Sequence, residues 1–331
     1  MNKLFTYVMA VFASLLPSFA AAQEAVGFDE RINQIFADYT GWYVSFIFAP
    51  LPGTNFSWIA LWLVVGAVVF TVYFGAIQVK GFWHSIQLVR GDYSDPDDAG
   101  EVSHFQALAT ALSGNIAGVA VAVSIGGPGA TFWMVVAGLF GMATKFTECT
   151  LGVKYRNEFP DGHVSGGPMY YIVKGFAERG LPLGGFMAVL FSIFTILGAL
   201  GGGNMFQANQ AHAQLAGVLG DYPGWITGVI LAGVTFAVIA GGLKSIARVT
   251  EKIVPFMGVF YVLVSVLILI INWDMIGWAF GQIFMGAFTG LGVVGGFTGA
   301  LIQGFRRAAF SNEAGIGSAA IAHSAVRTKE P

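Results

Sequence analysis

Long apolar stretches alternate with short polar ones along most of this chain. Residues 58–79, 105–125, 130–148, 187–206, 224–242 and 253–272 each stay apolar long enough to cross about 30 Å of hydrocarbon at about 1.5 Å per residue, and a seventh stretch runs over 283–304. Each predicts a membrane-spanning helix. Ahead of them, Phe28 to Phe48 mixes acids with Ile32, Ile35, Phe36, Tyr39, Trp42 and Tyr43 at helical spacing. Segment 23–57 is therefore expected to carry an amphipathic helix on the outer interface. The first residues differ again: Lys3, an apolar run from Leu4 to Leu16, then Pro17 and Ala20-Ala21-Ala22 before Gln23. These are the charged, apolar and small-residue regions of a secretory signal peptide over 1–22, the apolar run being short for a span that needs about 20 residues.

Charge fixes the expected orientation. With the mature N-terminus outside, segments 80–104, 149–186, 243–252 and 305–331 face the cytoplasm and hold thirteen Lys and Arg, against Arg31 alone outside. Lys and Arg decide this rule, so the acid run from Asp92 to Glu101 does not oppose it. The expectation is a multi-pass protein of a bacterial inner membrane with a periplasmic N-terminus. Composition agrees. Charged residues are only 10% and hydrophobic ones 56% of the 331 residues, and mean hydropathy is +0.71. A net charge of −2 offers no basic excess for nucleic acid, and Cys149 alone makes no disulfide or cysteine metal site.

Two apolar stretches are unlike plain helices. The first, 105–125, carries Ser113-Gly114-Asn115-Ile116-Ala117-Gly118, and 283–304 carries Gly290, Gly292, Gly295-Gly296 and Gly299 around Phe297 and Thr298. Each glycine weakens the helix by about 1 kcal/mol. Such glycines suit close helix packing, and they equally suit an unwound backbone that binds a carboxylate or a cation. Four intact spans lie between the two stretches, the interval expected if each opens one half of an inverted repeat.

The residues at this point resemble the alanine or glycine:cation symporter family. The resemblance is carried by Gly114-Asn115-Ile116-Ala117-Gly118-Val119-Ala120, Gly126-Gly127-Pro128-Gly129-Ala130, Met142-Ala143-Thr144-Lys145-Phe146, Gly166-Gly167-Pro168-Met169-Tyr170-Tyr171 and Phe310-Ser311-Asn312-Glu313-Ala314-Gly315-Ile316-Gly317-Ser318-Ala319 with Ala322-His323. It implies an all-α membrane protein, an inverted-repeat helix bundle like that of the leucine transporter. The extra helix would be 58–79, the first five-helix repeat 105–272, and the first broken helix of the second repeat with a cytoplasmic tail 283–331. The chain then resembles the first two-thirds of such a protein, as if truncated after that helix. It also departs from the family pattern at Ser113, which is followed directly by Gly114-Asn115, about four or five residues short, more than one helical turn.

For substrate binding, the resemblance and the residue chemistry point to six positions. The backbone at Gly114 and Gly118 would meet a carboxylate through N–H groups. The Asn115 amide would be a ligand or a hydrogen bond to a neighbouring helix. Gln207, at the expected outer end of 187–206, would contact substrate or simply mark a polar interface. Phe297 and Thr298 would close over a small side chain and bind the amine or ion, or would be ordinary packing. Residues holding Na⁺ are left unassigned. Lys145 and Glu148 read as a surface ion pair or as anchors at a span's inner end. Glu313 reads as a cytoplasmic structural or gating residue, and His212 and His323 lack the second ligand zinc needs. No catalytic triad or HExxH pattern occurs in the sequence, so an enzyme is not expected. The family implies sodium-coupled import of alanine or glycine by alternating access, with Na⁺ as coupling ion and no cofactor. Two alternatives stay open: an inverted-repeat carrier for another solute, and a non-transporting membrane fragment.

Overall fold

The computed structural model describes residues 28–54, 57–95, 97–111, 115–289 and 296–331. The expected signal peptide, Gly114 and the glycines from Gly290 to Gly295 lie outside the described residues. The chain divides into two units, with the boundary between Ile59 and Ala60. In the first, α1 (Phe28–Ile47) forms where helical spacing predicted it, with Tyr39, Trp42 and Phe46 exposed. Its C-terminal end is fastened locally: Trp58 Nε1 donates to the Phe46 carbonyl at 2.8 Å, and the two rings lie 5.9 Å apart.

The second unit is almost entirely helical. In order come α2 (Trp58–Tyr73), which begins two residues before the boundary, α3 (Ile77–Lys80), α4 (Phe82–Arg90), α5 (His104–Ala111), α6 (Asn115–Gly126) and α7 (Gly129–Lys154). A two-stranded antiparallel hairpin follows, β1 (Asn157–Glu158) with β2 (Val164–Ser165). Then come α8 (Pro168–Glu178), α9 (Gly184–Gly198), a π-helical segment Ala199–Met205, and α10 (Phe206–Leu219). The chain closes with α11 (Gly224–Ile239), α12 (Gly242–Ile271), α13 (Ile276–Phe288), α14 (Gly296–Asn312) and α15 (Ser318–Ser324). Sequence signals mark several ends. Ser103 and Gln106 form a capping box at α5, each side chain accepting the other's backbone N–H, at 3.1 and 2.9 Å. Pro168 opens α8, where its missing N–H costs nothing.

Several expected boundaries move. Helix α2 stops at Tyr73, short of residue 79, because Gly75 and Ala76 turn left-handed at φ 58. Of stretch 105–125 the structure describes α5 and α6, with 112–114 outside the described residues, and in 283–304 helix α13 ends at Phe288 and α14 is described from Gly296. The helix predicted over 187–206 continues to Leu219, a 36-residue run whose most apolar 18 residues have a mean hydropathy of 2.0. The expected loop 243–252 is the beginning of α12. Hydropathy registers where side chains are apolar, whereas a helix continues as long as its backbone bonds and one packed face persist. In α12 that face is Ala247, buried against Val102 and Val326, with Thr250 3.1 Å from Thr110 and Glu251 accepting from Gln106 at 2.6 Å. By length and composition, three helical runs among the described residues could cross a membrane: α7, α9 through α10, and α12; α2 and α11 are apolar but shorter.

Helix α7 is the central strut, packed by α6, α8, α13, α14 and α15. Its contacts rest on small residues. Ala122, Ala130, Met134, Ala137 and Ala308 form one buried cluster, and any side chain at Gly129 would run into the backbone of Gly286 and Ala287. Trp133 Nε1 donates to the Ala287 carbonyl at 3.0 Å, locking α13 onto the same end. A second cluster, Val102, Ala107, Val164, Ala247, Ala325 and Val326, draws in residues from all four segments that charge counting placed on one side.

Candidate functional site

The two glycine-rich apolar stretches meet. Gly118 of α6 faces Ser311, whose Cβ a side chain there would approach to 3.3 Å, and Gly126 faces the Gln303 side chain. As the number rises along α6 its partner's number falls along α14, so the helices pack antiparallel. The absence of a Cβ at Gly118 and Gly126 lets the two backbones approach closely. Gly304 continues the seam against Trp133 and Ala130 of α7.

This packing sorts the expected binding residues into two groups. Asn115 opens α6, at the end that lies beside the C-terminal half of α14. Phe297 and Thr298 sit in the first turn of α14, at the opposite end of the pair. Gly118 and Gly126 alone are eight residues apart along α6, about 12 Å of rise. Gly118 is buried at the seam, but the structure does not bring Asn115 together with Phe297 and Thr298.

Gln207 is not at the end of a helix. It lies inside the long run formed by α9, the π segment and α10, half-buried, one residue after Phe206. Phe206 meets Phe310 of α14 edge to face at 5.2 Å, and a side chain at Gly202 would come within van der Waals reach of the same ring. Through Phe310 and Ser311, the Gln207 turn and Gly118 thus flank one stretch of α14. The π segment Ala199-Leu200-Gly201-Gly202-Gly203-Asn204-Met205 was not foreseen, although three consecutive glycines in an apolar run mark the place. Its defining bond runs from the Phe206 N–H to the Gly201 carbonyl. Wide turns of this kind shift one residue out of register and recur at functional positions. Here the turn sets the Gln207 amide, which offers both donors and an acceptor, just beyond the break.

A second polar cluster sits where α14 turns into α15. Asn312 Oδ1 accepts from the Ala314 N–H at 2.9 Å, Glu313 turns left-handed at φ 53, and Gly315 and Gly317 follow at φ 88 and 83. Ser318 Oγ donates to Glu313 Oε2 at 2.6 Å, and Lys145 Nζ donates to the Glu313 carbonyl at 2.9 Å. The Lys145–Glu148 pair, 3.7 Å apart, is not a surface pair as expected: the side chains are only 24% and 10% exposed. Gly141 allows the turn, and Gly152 allows α15, to press onto α7, so the pair is covered. Burial, with Lys145 and His104 nearby, holds the His323 imidazole down to about 4, so it is neutral at pH 7.

Arg156, expected above only as one of the counted basic residues, ties down residues 324–328. Its guanidinium donates to the carbonyls of Ala99, Ser324, Val326 and Thr328 at 2.6–3.1 Å and to Glu158 Oε1 at 2.8 and 3.0 Å. Residues 325–328 lie along 99–102, with the Glu101 N–H donating to Ala325 and the Arg327 N–H to Val102. Lys329 reaches Asp98 at 2.8 Å and Asp95 at 3.7 Å, and the Asp98 contact raises its ammonium above the usual range.

Comparison with known proteins gives these elements a context. The family model described as "Sodium:alanine symporter family" matches residues 43–331. The chain is 45% identical over 276 residues to the sodium/alanine symporter AgcS of Methanococcus maripaludis, covering 81% of this chain and 60% of that protein. It is 38% identical to the putative sodium/proton-dependent alanine carrier protein YrbD of Bacillus subtilis, covering 70% of this chain and 47% of that one. With the probable sodium/glutamine symporter GlnT of the same organism it shares 33% identity over 80% of this chain and 55% of the relative. The chain thus spans about half to three-fifths of the length of these relatives.

Proposed function

The chain belongs to the sodium:alanine symporter family, and from that membership we propose that it serves sodium-coupled import of a small neutral amino acid, alanine or glycine, by alternating access. Its relatives are named as transporters, and the reading makes it a carrier rather than an enzyme. The observation that carries the proposal is the antiparallel seam of α6 and α14, Gly118 against Ser311, flanked by the π segment.

In this reading the amino-acid carboxylate meets backbone N–H groups at the start of α6, around Gly114 and Asn115, where a helix N-terminus favours negative charge. Gly118 keeps the approach open, and Gln207 supplies an amide from the other side of α14. Na⁺ binds beside the carboxylate, so each improves the other's affinity. Phe297 and Thr298 stand at the far end of the helix pair, so they reach the substrate only if α14 shifts along α6. A seam with glycine at Gly118 and Gly126 offers few side chains to obstruct that shift. An inverted repeat, opened by α5–α6 and by α13–α14, belongs to the same proposal, as do an inner-membrane location and a periplasmic N-terminus. A membrane potential would add about 2.3 kcal/mol per charge per 100 mV to inward movement.

The full chain in proteoliposomes tests this directly. An inward Na⁺ gradient should accumulate labelled alanine or glycine, and replacing Na⁺ by choline should abolish the accumulation. Uptake that is indifferent to Na⁺ but follows a proton gradient would transfer the assignment to another kind of carrier; one relative's name includes protons beside sodium. No accumulation under either gradient would leave the non-transporting fragment.

A further inference from the structure

Between α4 and α5 runs an open groove of about 500 Å³, lined by Ser85, Ile86, Val89 and Arg90 on one side and by Phe105 and Leu108 on the other. Its walls are mostly apolar, and the Ser85 hydroxyl is already committed to the Phe82 carbonyl at 2.7 Å. The groove therefore offers a ligand hydrocarbon along its length and charge only at its mouth. There Arg90, 73% exposed, touches Asp92, 36% exposed, through Nε at 3.4 Å. A solvated pair of this kind contributes little by itself and can exchange its partners. Phe82 and Trp83 stand exposed on the same short helix, the aromatic presentation that settles at a membrane–water boundary.

We propose that this groove binds one phosphatidylethanolamine molecule, with an acyl chain along Ile86, Val89, Phe105 and Leu108, the phosphate on Arg90 and the primary ammonium on Asp92. The two charges at the mouth match a zwitterion whose cationic end can donate hydrogen bonds. A choline headgroup has no N–H to give Asp92. An anionic glycerol headgroup would bring no cation to Asp92, which would be left beside a phosphate of like charge. Arg90 alone would select any phosphate; Asp92 beside it is what selects the ethanolamine.

Native mass spectrometry of the full chain, released from detergent with equimolar phosphatidylethanolamine, phosphatidylcholine and phosphatidylglycerol of matched chains, reads the preference. The ethanolamine lipid should be retained at least about tenfold over either competitor, a difference one charge-assisted hydrogen bond can supply. Arg90→Gln should lower its retention about tenfold, and Asp92→Asn should bring it down to the choline level. Both side chains are solvent-facing, so the melting temperature should not change. Val89→Trp, which fills the groove, should reduce retention of all three lipids, and glycerophosphoethanolamine without acyl chains should bind far more weakly than the lipid. Equal retention of the three lipids, preference for phosphatidylglycerol, an unaltered Arg90→Gln variant, or equal binding of the chain-free headgroup would each overturn the proposal. None of these results depends on whether the chain transports an amino acid.

Discussion

Arg156 holds more of the structure than any residue picked out by pattern. A guanidinium with 2% exposure and four carbonyl partners leaves each of those oxygens desolvated when it is removed. Arg156→Ala should destabilise the protein by about 3–5 kcal/mol, read as a lowered melting temperature in detergent. Arg156→Lys should not restore it, because one ammonium cannot replace a planar fork of donors. In the sequence Arg156 is an ordinary basic residue after a span, and only the return of residues 324–328 gives it partners. His323 makes a prediction with a defined pH window. In the unfolded chain its imidazole takes up a proton below about pH 6.5, whereas in the fold it resists until about 4. Acidification therefore favours the unfolded chain across that interval, and the stability present above pH 6.5 should fall by roughly 3 kcal/mol as pH drops towards 4. His323→Gln should flatten that part of the stability–pH curve.

At the scale of elements, the helices themselves were largely legible and their ends were not. The Ser103–Gln106 box and Pro168 are local signals, and the structure uses both. The extension of α12 back to Gly242 depends on Ala247, Thr250 and Glu251 finding partners from α5, which no local pattern announces. The π segment is similar: three glycines mark a weak point, but whether the backbone widens or breaks there is settled by Phe206 and Phe310 packing. Deleting Gly203 should convert the wide turn to regular α-helix and rotate α10, with Gln207 on it, by about 100° relative to α9. Helix content by circular dichroism should persist, while the proposed Na⁺-driven uptake should be lost. The glycines of α7 offer a graded comparison. A side chain at Gly129 meets the α13 backbone, while Gly138 has nothing within 4 Å. Gly129→Ala should destabilise by more than about 2 kcal/mol, and Gly138→Ala should be neutral or stabilising by up to about 1 kcal/mol.

For the whole molecule, the charge count and the packing agree on a testable side. Asp95, His163 and Lys329 come from segments that share one buried cluster or its ion pairs, His163 meeting Glu101 at 3.2 Å and Lys329 meeting Asp95 and Asp98. Cysteines placed singly at these three positions should react with an impermeant maleimide from the same face of the membrane, the cytoplasmic one. Labelling of any of them from the opposite face would break the topology. The sequence by itself determined the apolar surroundings this protein needs, its helical class and its family, and it supplied an expected sidedness for the loops, because composition, apolar run length and Lys/Arg distribution are sums over residues and need no coordinates. Which residues become neighbours was decided by the tertiary structure alone. The antiparallel seam places Gly118 on Ser311 and separates Asn115 from Phe297 and Thr298. The α14–α15 turn covers Lys145 and Glu148, and the last residues return to Arg156. Each of these depends on contacts between segments far apart in the chain, and such contacts are set by backbones that fit closely in three dimensions, a property that no stretch of sequence carries within itself.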